Sequence, residues 1–244
     1  DLQNGVALTE IASDTVPDQL LLNGNLALTQ IVVTHAVIAG PDIAYIAGGN
    51  VVALNGNTLP SPPGDLVELA ASGTFVAWAL ENDLDCAIYL NSVFVSNTPE
   101  CPFDMKVTAA NGFVYVGWSD GTGVHVAQSS DSGATWAINT VFSGGTGVYG
   151  DDYAVRADGS LIVVWLEYIA SEGGSSVWES DSGGLPVRLS GPVMTGFAGA
   201  GNPRVAPDGS VVWLDDIHGS ASGDYDVFLN GADISNGDEA TEGP

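Results

Sequence analysis

Acids at short spacings are the side chains of this chain best suited to chemistry. Asp83 and Asp85, and again Asp224 and Asp226, are separated by one residue, so the carboxylates of each pair can reach a single hard cation. These four are the expected metal ligands and calcium the expected ion, although no Asp-x-Asp-x-Asp-Gly loop accompanies them. Asp42, Asp65, Asp104, Asp151 and Asp152 recur near the starts of strand-like runs. Paired carboxylates hydrolyse glycosides when one is protonated and the other ionised. The plainer alternative for all of these is a set of solvated acids capping strands. A second set is aromatic. Tyr149, Tyr168, Trp178 and Tyr225 lie among acids in loop-like segments, and such rings suit the faces and hydroxyls of sugars. They are the expected ligand-binding residues, with packing of loops onto sheets as the alternative.

Composition narrows the partners. Four basic residues face 30 acidic ones in 244, for a net charge of −26. Such a surface repels phosphate backbones and anionic lipid, which excludes nucleic acid and membrane surfaces as expected partners. It suits a salty or extracellular setting in which counterions screen self-repulsion. No run approaches the ~18 apolar residues of a spanning helix, so no membrane insertion is expected. His35, His125 and His218 show no zinc spacing, and neither a phosphate-cradling Gly-Lys-Ser/Thr loop nor a nucleophile-elbow serine occurs. Cys86 and Cys101 flank a hairpin-length segment. A disulfide there would contribute roughly 3 kcal/mol and indicate an oxidising compartment; two buried thiols are the alternative.

The elements that position these residues repeat. Ala70-Ala71-Ser72-Gly73, Ala109-Ala110-Asn111-Gly112, Ala157-Asp158-Gly159 and Ala206-Pro207-Asp208-Gly209 each precede an apolar run carrying Trp78, Trp118, Trp165 or Trp213. The tryptophans are 40, 47 and 48 residues apart, the period of a four-stranded propeller blade. Each unit reads as an alternating strand, a Gly turn, a buried strand, an acidic loop and a third strand. Leu-Asn-Gly or a relative at 22–24, 54–56, 90–92 and 229–231 then marks a type I′ turn into a fourth. The repeated Trp reads as core, filling the wedge between neighbouring sheets. The expected fold is one all-β domain over 1–244, a β-propeller of four-stranded antiparallel blades. Five blades are preferred and six are the alternative. Residues 1–32 supply ring-closing hairpins or a partial blade, and 236–244 an acidic tail.

One motif points to a family. Ser129-Ser130-Asp131-Ser132-Gly133-Ala134-Thr135-Trp136 matches Ser-x-Asp-x-Gly-x-Thr-Trp, and resembles the Asp-box (BNR repeat) of bacterial sialidases and other propellers. The resemblance implies a structural turn built from Ser129, Asp131, Gly133, Thr135 and Trp136, with Asp131 accepting from its own backbone amides. It does not bring sialidase chemistry. Such enzymes hold a carboxylate with three arginines, and here Arg156, Arg188 and Arg204 lack the family's context.

The expectation is therefore a non-catalytic extracellular or virion-surface propeller that binds a carbohydrate or surface receptor through loops at one end. Its alternatives are a structural module joined to other proteins of a viral spike or cell-surface assembly, and a glycoside hydrolase using channel carboxylates.

Overall fold

The computed structural model describes backbone and side chains for residues 33–235 except 40–41, 49, 83–84, 192–198 and 216–224. For the strands between 2 and 30, and for residues 34, 39 and 144–146, it describes the backbone alone. Every regular element described is a strand. The first four are β1 (Leu2–Gln3), β2 (Val6–Ile11), β3 (Asp18–Leu22) and β4 (Asn25–Gln30). Next come β5 (Val33–Ala39), β6 (Asp42–Ala47), β7 (Val51–Leu54) and β8 (Asn57–Thr58). The third group is β9 (Asp65–Ser72), β10 (Phe75–Glu81), β11 (Cys86–Leu90) and β12 (Val93–Thr98). The middle of the chain holds β13 (Asp104–Ala110), β14 (Phe113–Ser119), β15 (Gly121–Ser129), β16 (Ala137–Val155), β17 (Leu161–Ile169), β18 (Gly174–Asp181) and β19 (Val187–Arg188). The last group is β20 (Ala200–Val205), β21 (Val211–Asp215), β22 (Asp226–Leu229) and β23 (Ala232–Asp233).

Each group of four is an antiparallel meander in chain order, as a propeller blade is. The run β13 to β19 keeps chain order too, and in it the 19-residue β16 ends one meander and opens the next. The first thirty residues pair among themselves, as β1-β2-β3-β4. By contact density the chain divides into two units, residues 1–118 with 126–139, and residues 119–125 with 140–244.

Within each unit the core lies where strand two of a meander faces its neighbours. Trp78 and Trp165 are fully buried, and Trp118 and Trp213 are 2 % exposed. Directly across the ladder from three of them stands an aromatic of strand three: Tyr89 opposite Trp78, Trp178 opposite Trp165, Phe228 opposite Trp213. Trp78 and Tyr89 stack at 5.9 Å, and Trp213 and Phe228 at 5.6 Å. Tyr45, standing where the other units carry Trp, is buried as well.

The Leu-Asn-Gly turns do more than reverse the chain. Asn55, Asn91 and Asn230 adopt φ of 49°, 45° and 50°, as a type I′ turn requires. The backbone N–H of each donates to the carbonyl of Ile43, Val76 or Val211, at the start of strand two, at 3.0, 2.9 and 2.9 Å. Each Oδ1 accepts from the N–H of that same residue, at 3.0, 2.9 and 2.8 Å. The asparagine thus completes a ladder pair with its side chain and ties the outer turn to the inner hairpin. Ser182 keeps the main-chain half of this clip, donating to Leu161 at 2.8 Å. Cys86, opening β11, is disulfide-bonded to Cys101 beyond β12, with Cα atoms 5.0 Å apart.

Two outcomes follow for stability. Asn91→Ala leaves the Val76 N–H without its acceptor and costs about 2 kcal/mol, whereas Asn91→Asp retains the acceptor and costs less. Urea unfolding midpoints of the two variants check this. Replacing Cys86 and Cys101 by Ser together lowers the unfolding free energy by roughly 3 kcal/mol, read by the same titration.

Candidate functional site

Strands one to four of a meander place two kinds of connection at opposite ends. Turns between strands one and two and between three and four lie at one end; loops between strands two and three, and entries to strand one, lie at the other. The turn end is tightly bonded. In Asp158-Gly159-Ser160 and Asp208-Gly209-Ser210 the aspartate Oδ1 accepts from the serine N–H at 2.9 Å in both cases. The Ser129–Trp136 turn joins β15 to β16 at this end. Asp131 accepts from the N–H of Ala134 (3.1 Å), the N–H of Thr135 (2.9 Å) and the Thr135 hydroxyl (2.6 Å). Ser129 Oγ donates to it at 2.7 Å and accepts from the Gly133 N–H at 2.7 Å. These bonds, the Thr135 hydroxyl foremost, hold the Asp131 carboxyl down at about 2. Trp136 packs against the core of its unit. Asp131 is consumed by its own turn, as a structural residue is.

The loop end carries the other predicted residues. In β16 and β17, Val148 pairs with Glu167 and Tyr149 with Leu166; in β17 and β18, Tyr168 pairs with Ser175. Alternation then puts Tyr149, Tyr168 and Ser175 on one face. Farther along that face, Leu166 and Val177 pack against Ala200, Val211 and Trp213. The Tyr149 hydroxyl reaches across β17 to hydrogen-bond Ser175 Oγ, and Ser175 is 4 % exposed. Both rings remain open: Tyr149 is 36 % and Tyr168 44 % exposed. Gly147 makes room beside them, since a Cβ there would lie 3.2 Å from that of Tyr168 and its φ is +84°. On the following turn Glu172 takes the Arg188 guanidinium in two bonds, 2.9 and 2.6 Å. Arg188 also donates to Ser176 Oγ and to the Gly191 carbonyl.

Two predicted ligand residues stand apart from this pair. Trp178 lies on the opposite face of β18, in register with Trp165 and Arg188, where other meanders have Tyr89 and Phe228. Tyr225, 44 % exposed, opens β22 at the same end of the next sheet.

Each expected metal pair has one described member, Asp85 or Asp226. Asp83 and Asp224 lie outside the described residues. Asp85 is met by Asn82 Nδ2 at 3.5 Å, and Asp226, buried, accepts from Ser235 Oγ at 2.9 Å and faces Asp215 across the ladder. Among the described residues no group of three or more His, Cys, Asp or Glu is arranged to hold a metal. In the first unit, Pro63, Gly64, Asp65, Glu81 and Asn82 line an open polar cleft of ≈ 520 Å³, with Asp65 directly opposite Glu81. The strand-start acids have separate roles: Asp42 accepts from Asn55 Nδ2 (2.6 Å), Asp151 from Ser119 Oγ (2.8 Å) and Asp152 from the Val205 N–H (3.0 Å).

One carboxyl escaped sequence reasoning. Glu68, half-buried on β9, the first strand of its sheet, is pushed up to about 7. Burial is the main cause and Asp104 adds to it, while the Leu69 N–H and Lys106 oppose it. The only sequence signal is a lone acid inside the apolar run Leu66 to Ala71.

No protein-family model and no curated protein matches this chain. Among solved structures it is similar to a eukaryotic initiation factor at 12 % identity and TM-score 0.53, over 93 % of this chain and 60 % of that one. The Dos1 propeller shares 12 % identity at TM-score 0.44, over 75 % of this chain and 53 % of that one. The α-L-arabinofuranosidase PaAbf62A from Podospora anserina shares 10 % at TM-score 0.37, over 93 % and 90 %. Likeness at such identity concerns fold alone. The strands themselves make an all-β chain of antiparallel meanders of the kind that form propeller blades.

Glu68 also sets a pH dependence. The folded state holds its proton more tightly than the unfolded chain, where the ordinary value is 4.5. Its contribution is therefore complete below about 4.5 and is lost as pH rises through about 7. Glu68→Gln should raise stability at neutral pH and flatten the decline across that window, measured as urea midpoint against pH in both proteins.

Proposed function

We propose that the chain is an extracellular β-propeller domain that binds a carbohydrate at its loop end, through Tyr149 and Tyr168. The observation that carries this reading is the pair of open tyrosine rings on one face, one of them fixed through its hydroxyl to a buried serine. A ring held in place loses little freedom when a sugar stacks on it. Six four-stranded meanders, β16 being counted in two, support six blades in place of the preferred five. The disulfide supports an oxidising location. The bonding of the Ser129–Trp136 turn supports placing it among Asp-boxes.

A second reading, glycoside hydrolysis, is favoured by Glu68. A carboxyl protonated near neutral pH beside Asp104 has the makings of an acid and base pair.

A glycan array probed with the purified chain, with calcium and again with chelator, tests the proposal. Selective binding is expected. Tyr168→Ala should weaken it about tenfold, and Tyr149→Phe, which keeps the ring and frees Ser175, by less. Absence of binding in both conditions would overturn the reading in favour of a structural module. Turnover of a bound glycan, lost in Glu68→Gln, would establish the hydrolase instead.

A further inference from the structure

Three side chains of the second unit, Asp120, His125 and Thr140, stand in a row. Thr140 is an exposed residue of β16, and its Oγ lies 3.3 Å from Nδ1 of His125 on β15. Asp120 Oδ2 lies 3.1 Å from the other ring nitrogen, Nε2, as a charge contact and not a straight hydrogen bond. Catalytic contacts are often loose in this way before a substrate is bound. Asp120 is 2 % exposed, and its Oδ1 accepts from the Thr122 N–H at 3.1 Å and the Thr122 hydroxyl at 2.7 Å. Gly123 gives the ring its place. A Cβ there would stand 2.4 Å from the Phe142 carbonyl oxygen and 3.3 Å from His125 Nε2.

A neutral imidazole that faces a carboxylate with one nitrogen carries its proton there and keeps a lone pair on the other. Nδ1 is then the acceptor for the Thr140 hydroxyl. We propose that Thr140 is a nucleophile that takes acyl groups from carboxylic esters, with His125 as general base and Asp120 as positioning residue. The Thr140 oxygen attacks the ester carbonyl carbon while its proton passes to Nδ1. Asp120 stabilises the imidazolium so formed, and its burial limits screening by water. As the bond from carbonyl carbon to alkoxy oxygen breaks, the imidazolium returns the proton to the departing alcohol. Thr140 keeps the acyl group. Water then attacks the acyl-threonine, gives a proton to Nδ1, releases the carboxylic acid and restores the hydroxyl. Hydroxyl, imidazole and carboxylate in series are recognised by geometry and role, and they recur on unrelated folds. None of the three belongs to the tyrosine pair, so this site stands or falls apart from sugar binding.

The probe is p-nitrophenyl acetate, with acid-quenched samples mapped by peptide mass spectrometry and folding followed by circular dichroism. Thr140 should gain one acetyl group as nitrophenolate is released. His125→Gln should slow that acetylation about a hundredfold, and Thr140→Ser should retain it. Asp120→Asn keeps an oxygen for Thr122 and turns its amide N–H toward Nε2. The imidazole proton then moves to Nδ1, and acetylation should fall at least about a hundredfold. Nitrogen-15 NMR of the His125 ring reads that change of tautomer, which a purely structural contact would not couple to reactivity. Absence of acetyl-Thr140, or its formation at an undiminished rate in His125→Gln or Asp120→Asn, would overturn the proposal. Thr140→Val alters only an exposed residue and serves where a buried variant does not fold. Nitrophenolate release persisting in it at the full rate would assign the reaction to another group and overturn the proposal as well.

Discussion

The pairing of a strand-two tryptophan with a strand-three aromatic is the interaction on which the rest depends. A single meander has two faces, and Trp78, Trp118, Trp165 and Trp213 are almost wholly removed from water. That burial requires another sheet against them, so each sheet is stable only in company. Losing one such ring from a packed core costs about 3–5 kcal/mol, a large share of a domain's net stability. Three of the four are backed by an aromatic directly opposite, which fixes the depth at which neighbouring sheets meet. With that depth set, inner strands approach closely enough for Asp152 to accept from the Val205 N–H, and Glu68 comes to feel Asp104 and Lys106.

The two ends of the meanders divide the work. At the turn end, side chains spend their hydrogen bonds on their own backbone: the asparagine clips, the Asp-Gly-Ser turns and the Asp131 turn leave little to offer a ligand. At the loop end, aromatic rings are open and carboxylates are many. A loop there need only begin and end on adjacent strands, so its composition is free to answer to a ligand.

Much of this was legible in the sequence because local rules govern it. Asn at φ near 50°, Gly in the hairpin turns and the eight residues around Asp131 each require a residue type at a fixed offset. The disulfide was legible as a hairpin spacing. What escaped depends on partners far apart along the chain. Tyr149 and Tyr168 could be named as exposed aromatics, but their union passes through Ser175, 26 residues from Tyr149. Trp178 looked like a loop aromatic because its partner Trp165 lies across a turn of unknown register. Residues 1–30 contain no tryptophan, so the turn at 22–24 and the hairpin pattern left open whether they close a ring or form a meander of their own, as they do. Ser143 to Gly147 holds three glycines of weak strand preference, yet β16 runs through it.

The asparagine clip also bears on how such a chain can grow and shrink. Because the last turn of a meander bonds back to its own first hairpin, the hydrogen bonding of that sheet is complete before the chain leaves it. The natural unit of duplication or deletion is then the whole meander, copied from one entry strand to the next, with no orphaned ladder at either border. At β16 that freedom is forfeited. A genetic break inside that strand would strip an outer edge from one sheet and the inner strand from the other, so the two meanders it joins are bound to be inherited together.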